Sequence, residues 1–316
     1  MGPLSRLRNI PSTAAYAALV VVWNGLRFTP LGSLAPFGLA DLFGWLLFLP
    51  LPVLVVAAVV RRLPRAAVAA ALPLLVFSAE YGPLFFPQRT PPRVSPLRVL
   101  AINQYFGNPD TTGVLRLLRS AQADVVAIQE LSHVSARAIP ERLSKLYPHQ
   151  SLHPDDGAFG FGLLSRIPFD EPRPPQRDFG TCFCQEVTLH DARRTRVVNV
   201  HTFPPGASLT GLRTEHQEQT MAILRRKAAQ ARGPTVMLGD FNFSDRHRFY
   251  RGMRRSLGDS HRDAGWGFGF TWMAPVPVVR IDYVFHSRHF TTRRFQTRST
   301  HGSDHRHVWA ELVSRS

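Results

Sequence analysis

The stretch TVMLGDFN, Thr235 to Asn242, places an acid and an amide at the exit of an apolar run. Successive side chains of a strand point to opposite faces, so Asp240 and Asn242 lie on the same face. The pair alone is equally consistent with a structural Asx turn, in which the aspartate side chain binds a backbone N–H two residues on. The rest of the sequence has to decide between a turn and a functional face.

Other short apolar runs in the sequence also end in polar residues. Because the ends of strands can place side chains in a shared cleft, these polar residues are candidates for one site. RVLAIN ends at Asn103, DVVAIQE at Glu130 and RVVNVH at His201. Each has a simpler alternative, since Asn103 can merely end a strand and Glu130 can cap a helix that starts near Ser132. The early alternation of strands with helices, followed by closely spaced strands, predicts an α/β fold with packed sheets.

Two further motifs favour a functional site. Asp282 lies inside the apolar run RIDYVF, where a buried carboxylate needs a partner, and an ion pair with Arg280 is the structural alternative. Asp304 and His305 are adjacent in GSDHRHV, so their side chains point apart and can serve different parts of one site. Carboxylates and amides without a cysteine cluster suit Mg²⁺ or Mn²⁺. The matching chemistry is metal-assisted hydrolysis of a phosphate ester.

In order, AIN, IQE, VNVH, LGDFN, RIDYVF and SDH resemble the motifs of the endonuclease/exonuclease/phosphatase superfamily, which includes DNase I-like nucleases, sphingomyelinases and inositol phosphatases. The resemblance covers about Arg98 to Val313. It implies a four-layer α/β sandwich, DNase I-like, with the site at one edge of two packed sheets. It also implies a hydrolase that depends on Mg²⁺ or Mn²⁺ and acts on phosphate ester bonds.

The resemblance implies a role for each residue of the set. The implied metal ligands are Glu130, Asn103 and Asp304. The implied catalytic residues are His305, Asp240, Asn242, His201 and Asp282. Among these, His305 matches the histidine that acts as base for the attacking water, and Asp282 matches the acid that orients this histidine. His201 matches a phosphate-binding histidine. Whether Asp240 or His305 removes the proton stays open.

The first 86 residues differ in kind from the rest and predict a membrane anchor. Leu42 to Val60 has no charged residue over a length that can cross a bilayer, and Ile10–Leu26 and Ala66–Phe86 are weaker candidates. A single cleaved signal peptide is the alternative, but the strongest span lies well inside the chain. We therefore expect three transmembrane helices in 1–86, a Pro-rich linker in 87–97 and a catalytic domain in 98–316. Basic residues before the first span and between the second and third place this domain outside the cytoplasm of a bacterial cell.

The formal net charge of +16 comes almost entirely from arginine and attracts anions. The arginine cluster of residues 245–255 predicts either a phosphate contact or a solvated face. We expect a lipid-linked or envelope phosphate as substrate, with nucleic acid as the alternative. A non-catalytic binding module is disfavoured, because every acidic and histidine position of the set is present. The cysteines, Cys182 and Cys184, are expected to be free thiols, since a bond across this spacing strains the backbone.

Overall fold

A computed structural model describes residues 9–33, 35–87, 96–171, 174–176, 183–204 and 212–315. Four helices precede the catalytic region: α1 (Asn9–Leu26), α2 (Ala35–Leu42), α3 (Leu51–Val60) and α4 (Pro64–Tyr81). Short 3₁₀ turns at Pro30–Ser33, Gly44–Phe48 and Gly82–Phe85 connect or extend them. The predicted linker lies largely in 88–95, outside the described residues.

Eleven strands of the described region form two sheets. The first sheet has the order β10-β11-β1-β2-β4-β3, with the strands Leu97–Asn103 (β1), Val125–Gln129 (β2), His149–His153 (β3), Phe161–Ser165 (β4), Phe290–Ser299 (β10) and Arg306–Ser314 (β11). The second has the order β5-β6-β7-β9-β8, with the strands Cys184–Thr188 (β5), Arg196–His201 (β6), Thr235–Asp240 (β7), Gly258–Asp259 (β8) and Asp282–His286 (β9).

Helices cover the outer face of each sheet, which gives four layers. The first sheet carries α5 (Thr111–Ser120) and α6 (His133–Leu143), whose Val114, Leu118 and Ile139 pack against Leu100 and Ile102. The second carries α7 (Leu212–Ala229) and α8 (Arg248–Arg254), and α9 (Ser260–Ala264) follows β8. A third cluster, including Val99, Val236 and Val284, fills the space between the sheets. This is the predicted sandwich, and the near-continuous apolar runs of the central strands explain why both of their faces are buried.

The predicted anchor differs from expectation in its strongest span. Leu42 to Val60 is not one helix, because α2 ends at Leu42 and the chain continues as a 3₁₀ turn before α3 begins at Leu51. Pro50 and Pro52 flank that new start, where proline is tolerated in a first helical turn. Among the described residues, only Pro64–Phe85 is long and apolar enough to cross a membrane. The three-span anchor stays a prediction.

The N-terminal helices dock on the catalytic region through Arg246, which is only 4% exposed. Its Nε donates to Oδ1 of Asp41 at 3.0 Å, one terminal nitrogen donates to the Tyr81 hydroxyl at 2.8 Å, and the other to Oδ1 of Asn24 at 2.9 Å. These partners come from α1, α2 and α4. A guanidinium has its donors in a fixed planar fork, so one arginine can fix three helices at once.

The arginine cluster of residues 245–255 is therefore neither a free phosphate contact nor a wholly solvated face. Arg251 donates to the backbone oxygen of Arg27 at 3.0 Å, and Arg248 pairs with Glu218. Within this cluster, Arg255 remains exposed. Most of the positive charge that follows GDFN is used in contacts within the protein.

The expectation of free thiols is wrong for Cys184, which is disulfide-bonded. The only other cysteine of the sequence, Cys182, lies outside the described residues.

Replacing Arg246 by methionine tests the docking. The variant leaves the carboxylate of Asp41 buried without its cation, which costs about 3 kcal/mol or more. We expect a clearly lower thermal midpoint for the full chain in detergent. Arg255→Met, a change of the same type at an exposed arginine, is the control and should melt like the wild type. Equal midpoints for both variants would show that the Arg246 contacts do not hold the helices.

Several histidines with a lowered pKa, among them the half-buried His247 and the buried His307, predict a loss of stability in acid. Burial, together with the charges of Arg248 and Arg251, lowers the pKa of His247 to about 3. Burial, together with Arg298, lowers the pKa of His307 to about 4. Above about pH 6.5 neither folded nor unfolded state binds the proton, so these groups contribute nothing. Below it the unfolded state alone binds protons, and unfolding becomes easier by up to about 1.4 kcal/mol per pH unit and histidine.

The check is the thermal midpoint between pH 7 and pH 4. His247→Gln should flatten the decline, whereas His133→Gln, at an exposed histidine, should leave it unchanged. A decline of the same steepness in His247→Gln contradicts the assignment for that residue.

Candidate active site

Residues from both sheets meet at the carboxyl ends of β1, β2, β6 and β7. The side-chain nitrogen of Asn103 donates to Oε1 of Glu130 at 2.9 Å and to Oδ2 of Asp240 at 3.1 Å. Asn103 ends β1 and Glu130 follows β2, both in the first sheet, whereas Asp240 ends β7 of the second sheet. One amide thus joins the two sheets at the point where their carboxylates approach each other.

The backbone at these strand exits is unusual. Glu130 and Asn242 have φ values of 57° and 51°, in the left-handed region that few non-glycine residues adopt. The turn at Glu130 is held by the backbone N–H of Phe106, which donates to its Oε2 at 3.0 Å. Such conformations cost about 1–3 kcal/mol each and concentrate at functional sites.

Glycine is required beside Asp240. Gly239 has a φ of +133°, and a Cβ there would lie 2.1 Å from the carbonyl oxygen of Val200 on β6. The close approach sets β7 against β6 in the parallel register that places Asp240 beside His201.

His201 faces two carboxylates. Its Nδ1 donates to the carbonyl oxygen of Ala158 at 2.9 Å, which leaves Nε2 as the free ring nitrogen. Nε2 lies 3.7 Å from Oε1 of Glu130 and 3.6 Å from Oδ2 of Asp240. Burial lowers the pKa of His201 and raises that of Asp240 to about 8. Three acceptor atoms converge here, an arrangement that a cation or a shared proton stabilises.

His305 and Asp282 form a buried pair. Nδ1 of His305 lies 3.0 Å from Oδ2 of Asp282, and its Nε2 lies 3.7 Å from Oδ2 of Asp240. Burial lowers the pKa of His305, but the charges of Asp282 and Asp240 outweigh this and raise it to about 10. The structural alternative for Asp282 is wrong, because Arg280 instead pairs with other carboxylates, Asp259 and Asp245.

The hydrogen bonds of Asn242 show whether GDFN forms a structural turn or part of the site. Its backbone N–H donates to Oδ1 of Asp240 at 2.9 Å, which is the Asx-turn contact. Its side-chain nitrogen donates to the carbonyl oxygen of Thr202 at 2.7 Å. The turn is therefore real, and it also carries Asp240 into the cluster, so the two interpretations do not exclude each other.

The structure brings most of the predicted residues together. Asp240, Asp282 and His305 offer ligand atoms that all lie within 4.8 Å of one another. Asp304 is exposed and accepts a bond from the indole N–H of Trp272 at 3.2 Å. Asn103 turns its nitrogen to the carboxylates, while its oxygen accepts from the N–H of Tyr105 at 3.0 Å. The metal-ligand roles of Glu130, Asn103 and Asp304 stay predictions.

The sequence profile of the Endonuclease/Exonuclease/phosphatase family matches residues 100–305. The chain belongs to this family. Its members are divalent-metal-dependent hydrolases of phosphoester bonds, so the predictions of the family and of an enzyme are confirmed.

Solved structures agree on the fold. An endonuclease/exonuclease/phosphatase from Beutenbergia cavernae shares 20% identity, with a TM-score of 0.57 over 70% of this chain and 72% of that one. A humanized TDP2 of D. rerio shares 18% identity, with a TM-score of 0.56 over 70% of this chain and 100% of that one. A 3′ phosphatase, NExo from Neisseria, bound to a product DNA hairpin, shares 17% identity, with a TM-score of 0.54 over 69% and 99%. A comparison with curated proteins found no significant match.

Sequence reasoning missed the polar contact that spaces the sheets behind the site. Nε2 of Gln129 donates to Oδ1 of Asn199 at 2.5 Å, and the Asn199 nitrogen donates to the carbonyl oxygens of Ile128 and Gly162 at 3.0 Å. Both side chains are fully buried. The signal was available, since each is a lone polar residue inside an apolar strand motif.

Two variants of Asn242 separate the effect of its left-handed backbone conformation from the effect of its side-chain amide. Asn242→Gly keeps the left-handed conformation without its side chain, whereas Asn242→Ala adds a steric cost of about 1–2 kcal/mol there. We expect the alanine variant to melt lower than the glycine variant and both to lose most phosphoesterase activity. A glycine variant with wild-type activity would reduce Asn242 to a turn residue.

Proposed function

We propose that the protein is a membrane-anchored phosphoesterase that uses Mg²⁺ or Mn²⁺ to hydrolyse a phosphate ester or pyrophosphate bond in a lipid-linked or envelope substrate. The observation that carries the proposal is the buried acid and histidine cluster beside a set of apolar helices that dock on the same domain. The reaction class follows from the family, and the substrate and location are the proposed part.

The donor set fits a hard divalent ion. Glu130 is the proposed principal ligand, Asp304 belongs to the predicted set, and Asp240 faces Glu130 across His201. Asn103 would join the set by turning its amide oxygen, which now accepts from the N–H of Tyr105, towards the ion. When bound, the ion neutralises charge on the phosphate oxygens and polarises the phosphorus. The oxygen-rich cluster excludes a structural zinc site, because no cysteine takes part.

The remaining residues position the water and the phosphate. Asp282 holds Nδ1 of His305, so that Nε2 faces the cluster. The charge of a bound ion would counter the acids that raise the pKa of His305, and the neutral ring could then accept the proton of the attacking water at Nε2. Asp240 lies close enough to share that proton. His201 would donate from Nε2 to a phosphate oxygen in its protonated form, in which both ring nitrogens are donors. The carbonyl oxygen of Ala158 fixes the ring orientation through Nδ1.

The N-terminal helices support a membrane location. Most exposed large apolar side chains of the described residues belong to them, including Leu19, Val22, Val53, Val56, Val60, Val68 and Leu75. An apolar surface of this size on a protein marks contact with a membrane or a partner.

The direction of the helices supports an extracytoplasmic domain. Both α1 and α4 end beside the catalytic region, where Tyr81 meets Arg246. The opposite end of α4 lies about 25 Å away along the helix, next to Arg61, Arg62 and Arg65. Positive loops stay in the cytoplasm. The disulfide at Cys184 is consistent with an oxidising compartment.

Apolar side chains around the site support a lipid-linked substrate. Tyr105 and Phe106 lie in the loop that holds Glu130, Phe159 follows the residue that holds His201, and Met273 follows Trp272. These side chains are 38%, 42%, 37% and 48% exposed, respectively. An apolar rim beside a phosphate site suits an amphiphile.

A nuclease is the second candidate. It is favoured by a basic groove whose lining includes no residue of the N-terminal helices α1–α4. Arg116 and Arg119 of α5 and Arg294 and Arg298 of β10 line a cavity of about 760 Å³. The side chains that line it include no carboxylate. A basic groove of this kind follows a nucleic-acid backbone. The similar structures include NExo bound to a product DNA hairpin and a D. rerio TDP2 complexed with a single-strand DNA product.

The test uses the full chain in lipid nanodiscs with Mg²⁺ or Mn²⁺. Candidate substrates are a lipid pyrophosphate, a sphingomyelin-type diester, plasmid DNA and RNA. We expect turnover of a lipid substrate that stops with a chelator, and a loss of about 100-fold or more in Glu130→Gln because the main metal ligand is removed. Glu141→Gln, at an exposed glutamate of α6, is the matched control.

Three results would overturn parts of this proposal. Cleavage of nucleic acid without lipid turnover selects the second candidate. Activity that survives a chelator, or an active Glu130→Gln variant, removes the assigned metal site.

A further inference from the structure

A pocket lies between the end of the N-terminal helices and the loop that follows α9. Its volume is about 560 Å³, and its apolar walls are Phe85, Trp266, Phe268, Phe270, Pro277 and Phe295. Phe268 stacks on Phe270 at 5.0 Å and meets Phe85 edge-on at 5.7 Å. The pocket is thus continuous with the interface through which the helices dock.

A buried histidine without a partner lines this pocket. His261 is 1% exposed, and neither of its ring nitrogens has a hydrogen-bond partner among the described residues. Burial, together with the charge of Arg280, lowers its pKa to about 3, so the ring is neutral and keeps one donor and one acceptor. Buried polar groups are normally paired, and an unpaired one needs a reason.

A cation completes the lining. Arg306 borders the pocket, and its Nε is buried without a partner in the described part of the chain. One terminal nitrogen of Arg306 donates a long hydrogen bond of 3.5 Å to the carbonyl oxygen of Pro275. No carboxylate of the described residues lies within 4.0 Å of its guanidinium. The pocket therefore combines aromatic walls with a half-exposed guanidinium whose Nε lacks a partner among the described residues.

We propose that this pocket binds one anionic phospholipid, with the phosphate at Arg306 and an acyl chain against Trp266 and Phe268. A phosphate satisfies the guanidinium, and a lipid oxygen can pair with His261. The acyl chain continues towards the lipid-facing helices past Phe86 and Trp266, which are 81% and 73% exposed. The proposal rests on the membrane location proposed above, but not on the identity of the substrate.

The lipid would lie directly behind the catalytic pair. The N–H of Arg306 donates to the carbonyl oxygen of Thr271 at 2.7 Å, and the hydroxyl of Thr271 accepts from the N–H of Asp282 at 3.2 Å. Arg306 follows His305 in the chain, with its side chain on the pocket side. A lipid in this pocket thus packs against the segment that carries both His305 and Asp282.

Native mass spectrometry of the full chain in a neutral detergent tests the proposal. The probes are phosphatidylglycerol, which is anionic, and phosphatidylcholine, which is zwitterionic. We expect one phosphatidylglycerol to bind more tightly than phosphatidylcholine, and Arg306→Gln to weaken it about tenfold or more by loss of a charge-assisted contact. Arg298→Gln, an exposed arginine on the same hairpin, is the matched control.

Trp266→Ala decides the outcome even if Arg306→Gln does not fold, because the Trp266 side chain is largely exposed. It should weaken retention of phosphatidylglycerol, whereas Val134→Ala, at an exposed apolar residue of α6, should not. Equal binding of the two lipids, wild-type retention in both pocket variants, or an equal loss in Arg298→Gln overturns the proposal. Because lipid retention is measured without substrate, its failure is distinct from an absence of phosphoesterase activity.

Discussion

The hydrogen bonds of Asn103 are the contact on which the site depends. Its amide nitrogen bonds carboxylates of both sheets, Glu130 at 2.9 Å and Asp240 at 3.1 Å. Two carboxylates brought together in a buried place repel each other and lose hydration, so they need donors or a cation between them. The amide supplies donors without adding charge. It therefore holds the acids close while leaving their negative charge available to a divalent ion.

Polar contacts deeper in the sandwich make this geometry reproducible. The buried amides of Gln129 and Asn199 bond across the sheets, and each lies one or two residues before a site residue, Glu130 or His201. A slip of one residue in either strand would turn these side chains to the wrong face. The same slip would leave buried amides unpaired, at a cost of about 1–3 kcal/mol each. The contacts that stabilise the strand register thus also fix the positions of Glu130 and His201 in the site.

Much of the strand layout and of the candidate site could be predicted from local sequence patterns. The strands that carry RVLAIN, DVVAIQE, RVVNVH, TVMLGD and RIDYVF agree with these runs to within about two residues, as is usual for element ends. Four other strands, β3, β5, β8 and β10, were not predicted. What the sequence did not reveal are pairings between distant segments. Arg246 looked like part of a phosphate-binding or solvated cluster, because nothing local shows that Asp41 is its partner. Leu42 to Val60 looked continuous, because a run without charges does not show where proline starts a new helix. Asp282 had two reasonable partners, and only the fold selects His305 over Arg280.

The docked N-terminal helices and the catalytic region are joined close to the active site. Arg246 lies four residues after Asn242, and it donates four hydrogen bonds to Asp41, Tyr81 and Asn24. The turn that carries Asp240 into the site is thus continuous with the turn that fixes the helices. A domain on a free linker would sample many orientations, whereas this contact holds the site in one orientation relative to α1 and α4. A chain that starts at Arg98 would lack these partners and leave Arg246 uncompensated beside the active site. The helices are therefore part of the folded unit that positions the site, and its chemistry belongs to the full chain.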